Sequence, residues 1–260
     1  MRVPVLQDSL PHVPWMEAAT ARLPGMRPCG AEDWIRADEA FAGQMAERDW
    51  LIATRLPLVH ALLPEGRVAA EELLEAVLEI LSRRPGYAVG AGAVTRPDGV
   101  VVPLDGRFPM VTLGRLVQED LCLMERRGEE SVMTGAILCF PASWTLAQKI
   151  GKPMTGIHRP VAHYDAELAR RVQRLFDMVR PGQPMERYNA LVYDDPTLHQ
   201  PRVEGDRRPY AVERLYMRSE RQVIARLPRS GAVVFSIHTY IVPLERLSPE
   251  AREAMAGAGL

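Results

Sequence analysis

The stretch from Phe140 to Asp165, FPASWTLAQKIGKPMTGIHRPVAHYD, is the one around which the chain is organised. Its middle, 149–161, holds too many glycines and prolines to be a plain helix or a plain strand. Lys152, His158 and Arg159 lie close together within it. A loop that places a metal-ligating side chain among cations suits an anionic cofactor, and this is the first functional hypothesis.

His158 is the best candidate ligand in this loop. Pro160 biases Arg159 toward an extended conformation, and Gly156 gives the backbone freedom just before the histidine. An imidazole on such a segment can stand out toward a pocket, and an unperturbed histidine is largely neutral at pH 7, as a metal ligand must be. The open alternative is a histidine that ties the loop down by hydrogen bonds.

Composition narrows the class of protein. The 260 residues are 47% hydrophobic and 25% charged, which is ordinary for a soluble globular protein with a substantial core. Basic and acidic residues nearly balance, at 32 and 33, and no segment has the basic excess of a nucleic-acid binder. No nucleic-acid partner is expected.

Three further sequence features bear on location and metal binding. No run of eighteen apolar residues could form a transmembrane helix, so no membrane association is expected. The first fifteen residues hold prolines and an acid where a signal peptide needs an apolar stretch. The cysteines, Cys29, Cys122 and Cys139, are odd in number and form no CxxC pair, which argues against zinc sites and disulfides. A cytoplasmic location is the resulting expectation.

Periodicity and turn residues give a coarse order of elements. Helices are predicted at about 32–51, 68–84, 113–126, 143–150 and 166–179, in a short segment that begins at a capping box at 219–222, and after Ser248-Pro249. Strands are predicted for the two arms of a hairpin around the turn at 96–99 and for the segments 132–140, 185–193 and 231–242. Pro57 is expected to stop the first helix, and Ser143 and Asp165 to cap two others.

These elements predict an α+β fold with a mostly antiparallel sheet and several flanking helices. The predicted organisation is an extended N-terminal arm at 1–30, a single domain at 31–245, and a C-terminal helix or tail at 246–260. No internal repeat and no linker argues for a second domain.

Outside the loop, a few polar residues can carry chemistry. His238 shares a strand face with Ser236 and Tyr240, so it can line a cavity, although a strand histidine with a hydrogen-bond partner is the simpler interpretation. The pair Glu119-Asp120 falls in the predicted helix 113–126 and is expected on its solvated face.

Two more candidates lie in the C-terminal half. Glu220 is flanked by Arg218 and Arg221, which supply two guanidinium groups, and Asn189 can point from its strand into a pocket. For each of them an ordinary structural role is the simpler interpretation.

Three segments together carry a family resemblance. They are Gln118 to Leu121, the stretch 140–165, and 217–244, MRSERQVIARLPRSGAVVFSIHTYIVPL. With the pattern W-x-x-x-x-K-x-G-x-P-x-x-x-I-H-x-P-V, the chain resembles the haem-binding subunit of the haem-dependent oxidative N-demethylases over about Pro14 to Leu244.

The resemblance implies a PAS-like α+β fold that holds haem b, with a histidine as axial ligand. On this sequence the iron ligand is His158, and the expected cofactor contacts are Lys152, Arg159 and Arg221. The expected catalytic residues are Glu220, Asn189 and His238.

The resemblance also implies an activity and partners. The haem iron activates dioxygen and oxidises an N-methyl group of a small secondary amine such as dimethylamine, and formaldehyde is released. Electrons come from NADPH through a separate reductase with FMN and an iron–sulfur centre, and a folate-binding subunit can capture the formaldehyde. None of the reductase motifs is in this chain, so a partner is expected. A homodimer is one assembly left open.

Two positions depart from the family pattern. The family commonly has Trp where this chain has Ala190, and often Arg where it has His238. The first change can alter which substrate is bound. The second can alter the charge of the pocket or supply a second imidazole near the haem. The rival hypotheses are a non-catalytic haem-binding PAS-like sensor or carrier and a haem-free structural subunit, since fold does not settle function.

Overall fold

A computed structural model describes residues 3–17, 24–159, 165–206 and 212–260. The α-helices in this part of the chain are α1 (Phe41–Val59), α2 (Arg67–Leu81), α3 (Pro109–Gly114), α4 (Met154–His158), α5 (Ala166–Met178) and α6 (Pro249–Gly257). The strands are β1 (Arg27–Pro28), β2 (His60–Leu62), β3 (Ala88–Val89), β4 (Ala93–Thr95), β5 (Val101–Pro103), β6 (Asp120–Arg127), β7 (Glu130–Ile137), β8 (Met185–Tyr193), β9 (Tyr216–Arg226) and β10 (Val233–Pro243).

Strands from both ends of the chain form one seven-stranded antiparallel sheet, in the order β1-β8-β9-β10-β6-β7-β2. The long strand β9 pairs along its length with β8 on one side and β10 on the other. A separate three-stranded sheet contains β3, β4 and β5. The predicted α+β class with a mostly antiparallel sheet is confirmed.

The large sheet buries both of its faces, because successive side chains of a strand point to opposite sides. One side, called the core face here, packs against α1, α2 and α3 through residues such as Leu121, Val223 and Val234. The other side, called the α4 face, packs against α4 and α5 through residues that include Cys122 and Ile224. A side chain's position along a strand therefore decides which layer it meets.

Several elements lie where the sequence predicts them. Strand β8 has the predicted bounds, and the hairpin of β4 and β5 turns at residues 96–99. Helix α5 begins after Asp165, whose side chain accepts a hydrogen bond from Leu168 N, and Ser248 caps α6 in the same way. Local turn and cap chemistry is sufficient to place these boundaries.

The predicted helix at 113–126 is wrong. Helix α3 ends at Gly114, and β6 begins at Asp120. The apolar residues Leu113, Leu116 and Val117 have helical spacing, yet Leu121 and Leu123 alternate with buried neighbours as a central strand requires. Pairing with β10 and β7 on both sides stabilises the extended conformation.

The short helix predicted to begin at 219–222 and to end near residue 227 is also wrong, since β9 extends from Tyr216 to Arg226. A capping box is a local pattern, and here pairing with two neighbouring strands outweighs it. Ser143 is not a helix cap; the helix expected after it is only a 3₁₀ turn, Leu146–Gln148. Pro57 does not stop α1, which continues to Val59 with a kink at Arg55.

The N-terminal arm is fastened to the sheet. Gln7 N donates to Ile241 O at 2.9 Å, and Ile241 N donates to Gln7 Oε1 at 2.8 Å. Farther along, Trp15 Nε1 donates to Ala251 O in α6 at 2.8 Å, so the two ends of the described chain pack together. Within the residues that the structure describes, no helix has the length and apolar character needed to cross a membrane.

Candidate functional site

Helix α4 places His158 beside the α4 face of the sheet. The helix begins after Pro153, and its first residue, Met154, is buried in the same apolar cluster as Cys122 and Ile224. His158 ends this short helix and is half-buried. The predicted extended conformation at Arg159 is wrong, because its backbone angles, φ −47° and ψ −38°, are helical and continue the turn of α4 despite the proline that follows. Residues 160–164 lie outside the described part of the chain.

The imidazole of His158 is oriented by its own helix. Nδ1 lies 2.9 Å from Met154 O, and because a carbonyl oxygen can only accept, Nδ1 carries the proton and Nε2 the lone pair. Burial and the charge of Lys149 lower the pKa of His158, while the hydrogen bond to Met154 opposes this. A histidine that donates its second N–H to a backbone carbonyl is the usual arrangement of a metal ligand.

The segment before and after His158 is rich in positive charge. Lys149 Nζ lies 2.6 Å from Glu204 Oε1 and also donates to Ile157 O. The hydrogen bond from Lys149 lowers the pKa of Glu204, and the charges of Lys152 and Arg159 add to this effect. Lys149 contacts this carboxylate and two further cations act on it, so the segment around His158 carries more cations than acids.

Asn189 and Glu220 are cross-strand partners of β8 and β9 and form a closed hydrogen-bonded pair. Asn189 Nδ2 donates to Glu220 Oε2 at 2.9 Å, and Glu220 N donates to Asn189 Oδ1 at 2.8 Å. Gln222 Nε2 also donates to Oε2, at 3.0 Å, whereas Oε1 lies 4.0 Å from Arg218 Nε. Two amides thus fix a buried carboxylate with one oxygen directed away from them.

Arg187 is a residue on this face that the sequence interpretation missed. It pairs with Gln222, so its side chain lies on the same face as Asn189, two positions on in β8. The side chain is half-buried, and burial lowers the pKa of its guanidinium while the charge of Glu220 opposes the change. The strand alternation R-x-N at 187–189 was the signal available in the sequence.

His238 lies on the core face, opposite to Asn189 and Glu220. Its ring is fully buried between two carboxylates, with Nδ1 2.9 Å from Glu119 Oε1 and Nε2 3.1 Å from Asp38 Oδ2. Burial alone would lower the pKa of His238, but the hydrogen bonds to Asp38 and Glu119 raise it to about 9. The imidazole therefore carries a proton at neutral pH.

The expectation that Glu119 and Asp120 form a solvated face is wrong. Both carboxylates are buried, at 0% and 1% exposure, and each has polar partners. Glu119 accepts from Arg36 N as well as meeting His238, and Asp120 pairs with Arg48. Internal cations and backbone amides replace water around these two acids.

Arg221 likewise lies on the core face. Its Nε donates to Glu186 Oε2 at 2.7 Å, and one terminal nitrogen donates to Asp33 O at 2.6 Å. The side chain is buried, and these contacts connect β9 to β8 and to the turn before α1. Arg221 and His238 thus form one group of predicted site residues, separated by the sheet from Asn189 and Glu220.

Ala190 also faces away from Glu220. It pairs with Ser219 and packs with Met217 and Trp15 in the cluster beneath α6. The departure from the family pattern at this position therefore lies in the packing of β8 against the N-terminal arm, on the side opposite to Asn189.

The fold and this arrangement define an α+β protein in which a histidine oriented by its own helix and a set of polar residues of β8 and β9 belong to the same side of the sheet. The chain matches the family described as haem-dependent oxidative N-demethylase, alpha subunit-like, over residues 25–258. It belongs to that family, whose description names both haem dependence and an oxidative activity. The resemblance seen in the sequence is confirmed.

Proposed function

We propose that this chain binds haem b and that His158 would be the residue that holds its iron. The observation that carries the proposal is the hydrogen bond from Nδ1 of His158 to Met154 O, which fixes the ring and leaves the lone pair on Nε2. Lys152 and Arg159 are proposed to pair with the haem propionates, consistent with the positive charge around Glu204. We also propose that the sheet and its flanking helices form a PAS-like fold.

The donor set fits a haem better than a bare metal ion. Among the described residues, no group of three or more His, Cys, Asp or Glu side chains could hold a metal ion. Haem brings four nitrogen ligands of its own, so a single histidine completes what the protein must supply. The apolar residues that pack around α4, among them Ile157 and Phe235, are suitable neighbours for a porphyrin ring.

The proposed reaction is oxidative N-demethylation of a small secondary amine such as dimethylamine. One dioxygen and two electrons with two protons convert the N-methyl amine into the shorter amine, formaldehyde and water. When bound, the haem supplies the iron that activates dioxygen. Glu220 is proposed to bind the amine N–H through Oε1 and to accept its proton, while Asn189 and Gln222 hold Oε2.

His238 and Arg221 are proposed to act on this site only through the sheet, because both lie on the core face. The electrons are proposed to come from NADPH through a separate reductase with FMN and an iron–sulfur centre. A folate-binding subunit that captures formaldehyde, a cytoplasmic location and a homodimer complete the proposal.

The test is formaldehyde and methylamine release from dimethylamine by the haem-loaded protein with NADPH and a flavin–iron–sulfur reductase. Wild type is expected to release both in equal amounts, and Glu220→Gln to lose most of the rate. Glu129→Gln, at an exposed position, is the matched control and should keep it. A normal haem spectrum without formaldehyde would instead support a sensor or carrier.

A further inference from the structure

Arg187 and Glu220 are opposite charges on one face of the sheet that do not pair with each other. Glu220 is the one charge that acts noticeably on the guanidinium of Arg187, and no ion pair joins the two within the described part of the chain. Glu220 is instead held by Asn189 and Gln222. An arginine without an ion pair, beside a carboxylate whose Oε1 has only a 4.0 Å contact with Arg218, can bind a ligand that carries both charges.

The guanidinium of Arg187 differs from those of the buried arginines in its hydrogen bonding. Within the described residues its guanidinium has no hydrogen bond or ion pair, although five N–H donors are half-buried with it. A half-buried guanidinium without a protein acceptor is open to an anion, and a planar carboxylate is the anion that satisfies it best. By contrast, the buried arginines Arg48, Arg218 and Arg221 all donate to protein acceptors.

We propose that Arg187 and Glu220 bind the substrate as a zwitterion, with its carboxylate on Arg187 and its methylated amine on Glu220. The preferred substrates are then the N-methyl amino acids, of which N-methylglycine is the smallest, and simple dialkylamines such as dimethylamine bind more weakly. This inference rests on the proposed function, since it names the substrate of the same site.

A haem propionate is the other carboxylate that could meet Arg187. The neighbouring Glu220 carboxylate would repel it, whereas the ammonium group of a zwitterion is attracted to Glu220. The cations Lys152 and Arg159 beside His158 already provide for the propionates in the proposed site. The charge pattern of the sheet face therefore favours the substrate.

The experiment is calorimetric titration of haem-loaded protein, without reductase, with N-methylglycine and with dimethylamine. Wild type is expected to bind N-methylglycine at least about tenfold more tightly, the usual value of a charged hydrogen-bonded contact. Arg187→Gln should remove this preference and leave dimethylamine affinity unchanged. Arg252→Gln, at an exposed position in α6, is the control that should retain it.

Equal affinity of wild type for the two amines would overturn the inference, and this comparison needs no variant to fold. Loss of haem absorbance in Arg187→Gln would also overturn it, because Arg187 would then be a propionate contact. Formaldehyde release separates the two proposals. Demethylation of dimethylamine without a preference for binding N-methylglycine would contradict only the zwitterion site. Tight binding of N-methylglycine without formaldehyde release would contradict only the demethylase activity.

Discussion

Nδ1 of His238 lies 2.9 Å from Oε1 of Glu119, with both side chains buried on the core face of the sheet. The other ring nitrogen meets Asp38, which also accepts hydrogen bonds from Gln7 and Gln118. A protonated imidazole therefore connects β10, the segment before β6 and the N-terminal arm. This network stabilises the sheet on whose opposite face the proposed substrate residues lie.

The first prediction is a pH dependence of stability that arises from His238. Its folded pKa, about 9, lies above the unfolded value of 6.5, so the folded state alone keeps the proton between these limits. The contribution is complete below pH 6.5 and is lost as pH rises toward 9, at up to about 1.4 kcal/mol per pH unit. Urea unfolding at a series of pH values measures the slope.

His238→Gln is the variant that tests this assignment, since glutamine is a polar side chain of similar length that does not titrate. It should be less stable at pH 6 and should lack the slope between pH 6.5 and 9. An unchanged slope in the variant would assign the pH dependence to another group. On the acid side, hydrogen bonds from His238 and Gln118 outweigh burial and lower the pKa of Asp38 to about 2, so its stabilisation should be lost only in strong acid.

The second prediction concerns the buried ion pair between Arg48 and Asp120, whose atoms approach to 2.7 Å. Asp120 also accepts hydrogen bonds from Cys139 N and Phe140 N, at 2.6 and 2.8 Å. Asp120→Asn should lower the free energy of unfolding by about 3–5 kcal/mol, because it leaves a buried guanidinium without its counter-charge.

The matched control is the exposed pair of Arg67 and Glu71, 2.6 Å apart in α2. Glu71→Gln should cost no more than about 1 kcal/mol, since water screens an exposed pair. Chemical denaturation of the two variants compares the losses directly. Equal losses would show that burial does not determine the strength of the Arg48–Asp120 contact.

The third prediction concerns the close contact of α3 with the sheet at Gly114. A Cβ at this position would lie 2.4 Å from Ile137 Cγ1 and 3.0 Å from Ile52 Cδ1. Gly114→Ala should therefore destabilise the protein by about 1–3 kcal/mol through overpacking. Gly106→Ala, with no atom within 4 Å of the added carbon, should leave the melting temperature nearly unchanged. A tolerated Gly114→Ala would mean that the layer is loosely packed.

Much of the fold follows from local sequence signals. The Asp165 and Ser248 caps, the hairpin turn and the alternation of 185–193 are each decided by a few neighbouring residues. The helices predicted at 113–126 and from 219–222 onward were wrong because the conformation of these segments is decided by strands far away in the chain. Helical spacing and a capping box are local patterns, and neither reports such pairing.

The candidate site also has a part that the sequence could predict and a part that it could not. The loop at 149–159 could be singled out from the sequence because histidine, cations and turn residues are adjacent there. The separation of His238 and Arg221 from Asn189 and Glu220 could not, because it depends on the register of three strands. Arg187 was missed for a related reason: an arginine in a strand looks solvated until the layer that covers it is known.

The central claim, that His158 would hold the haem iron, is tested most directly by the absorption spectrum of His158→Ala. Purified wild type is expected to show a Soret band with one haem per chain, and the variant to lose haem or shift the band. His60→Ala, also half-buried but on the edge strand β2, is the control that should keep the wild-type spectrum. Full haem occupancy and an unchanged spectrum in His158→Ala would contradict the account.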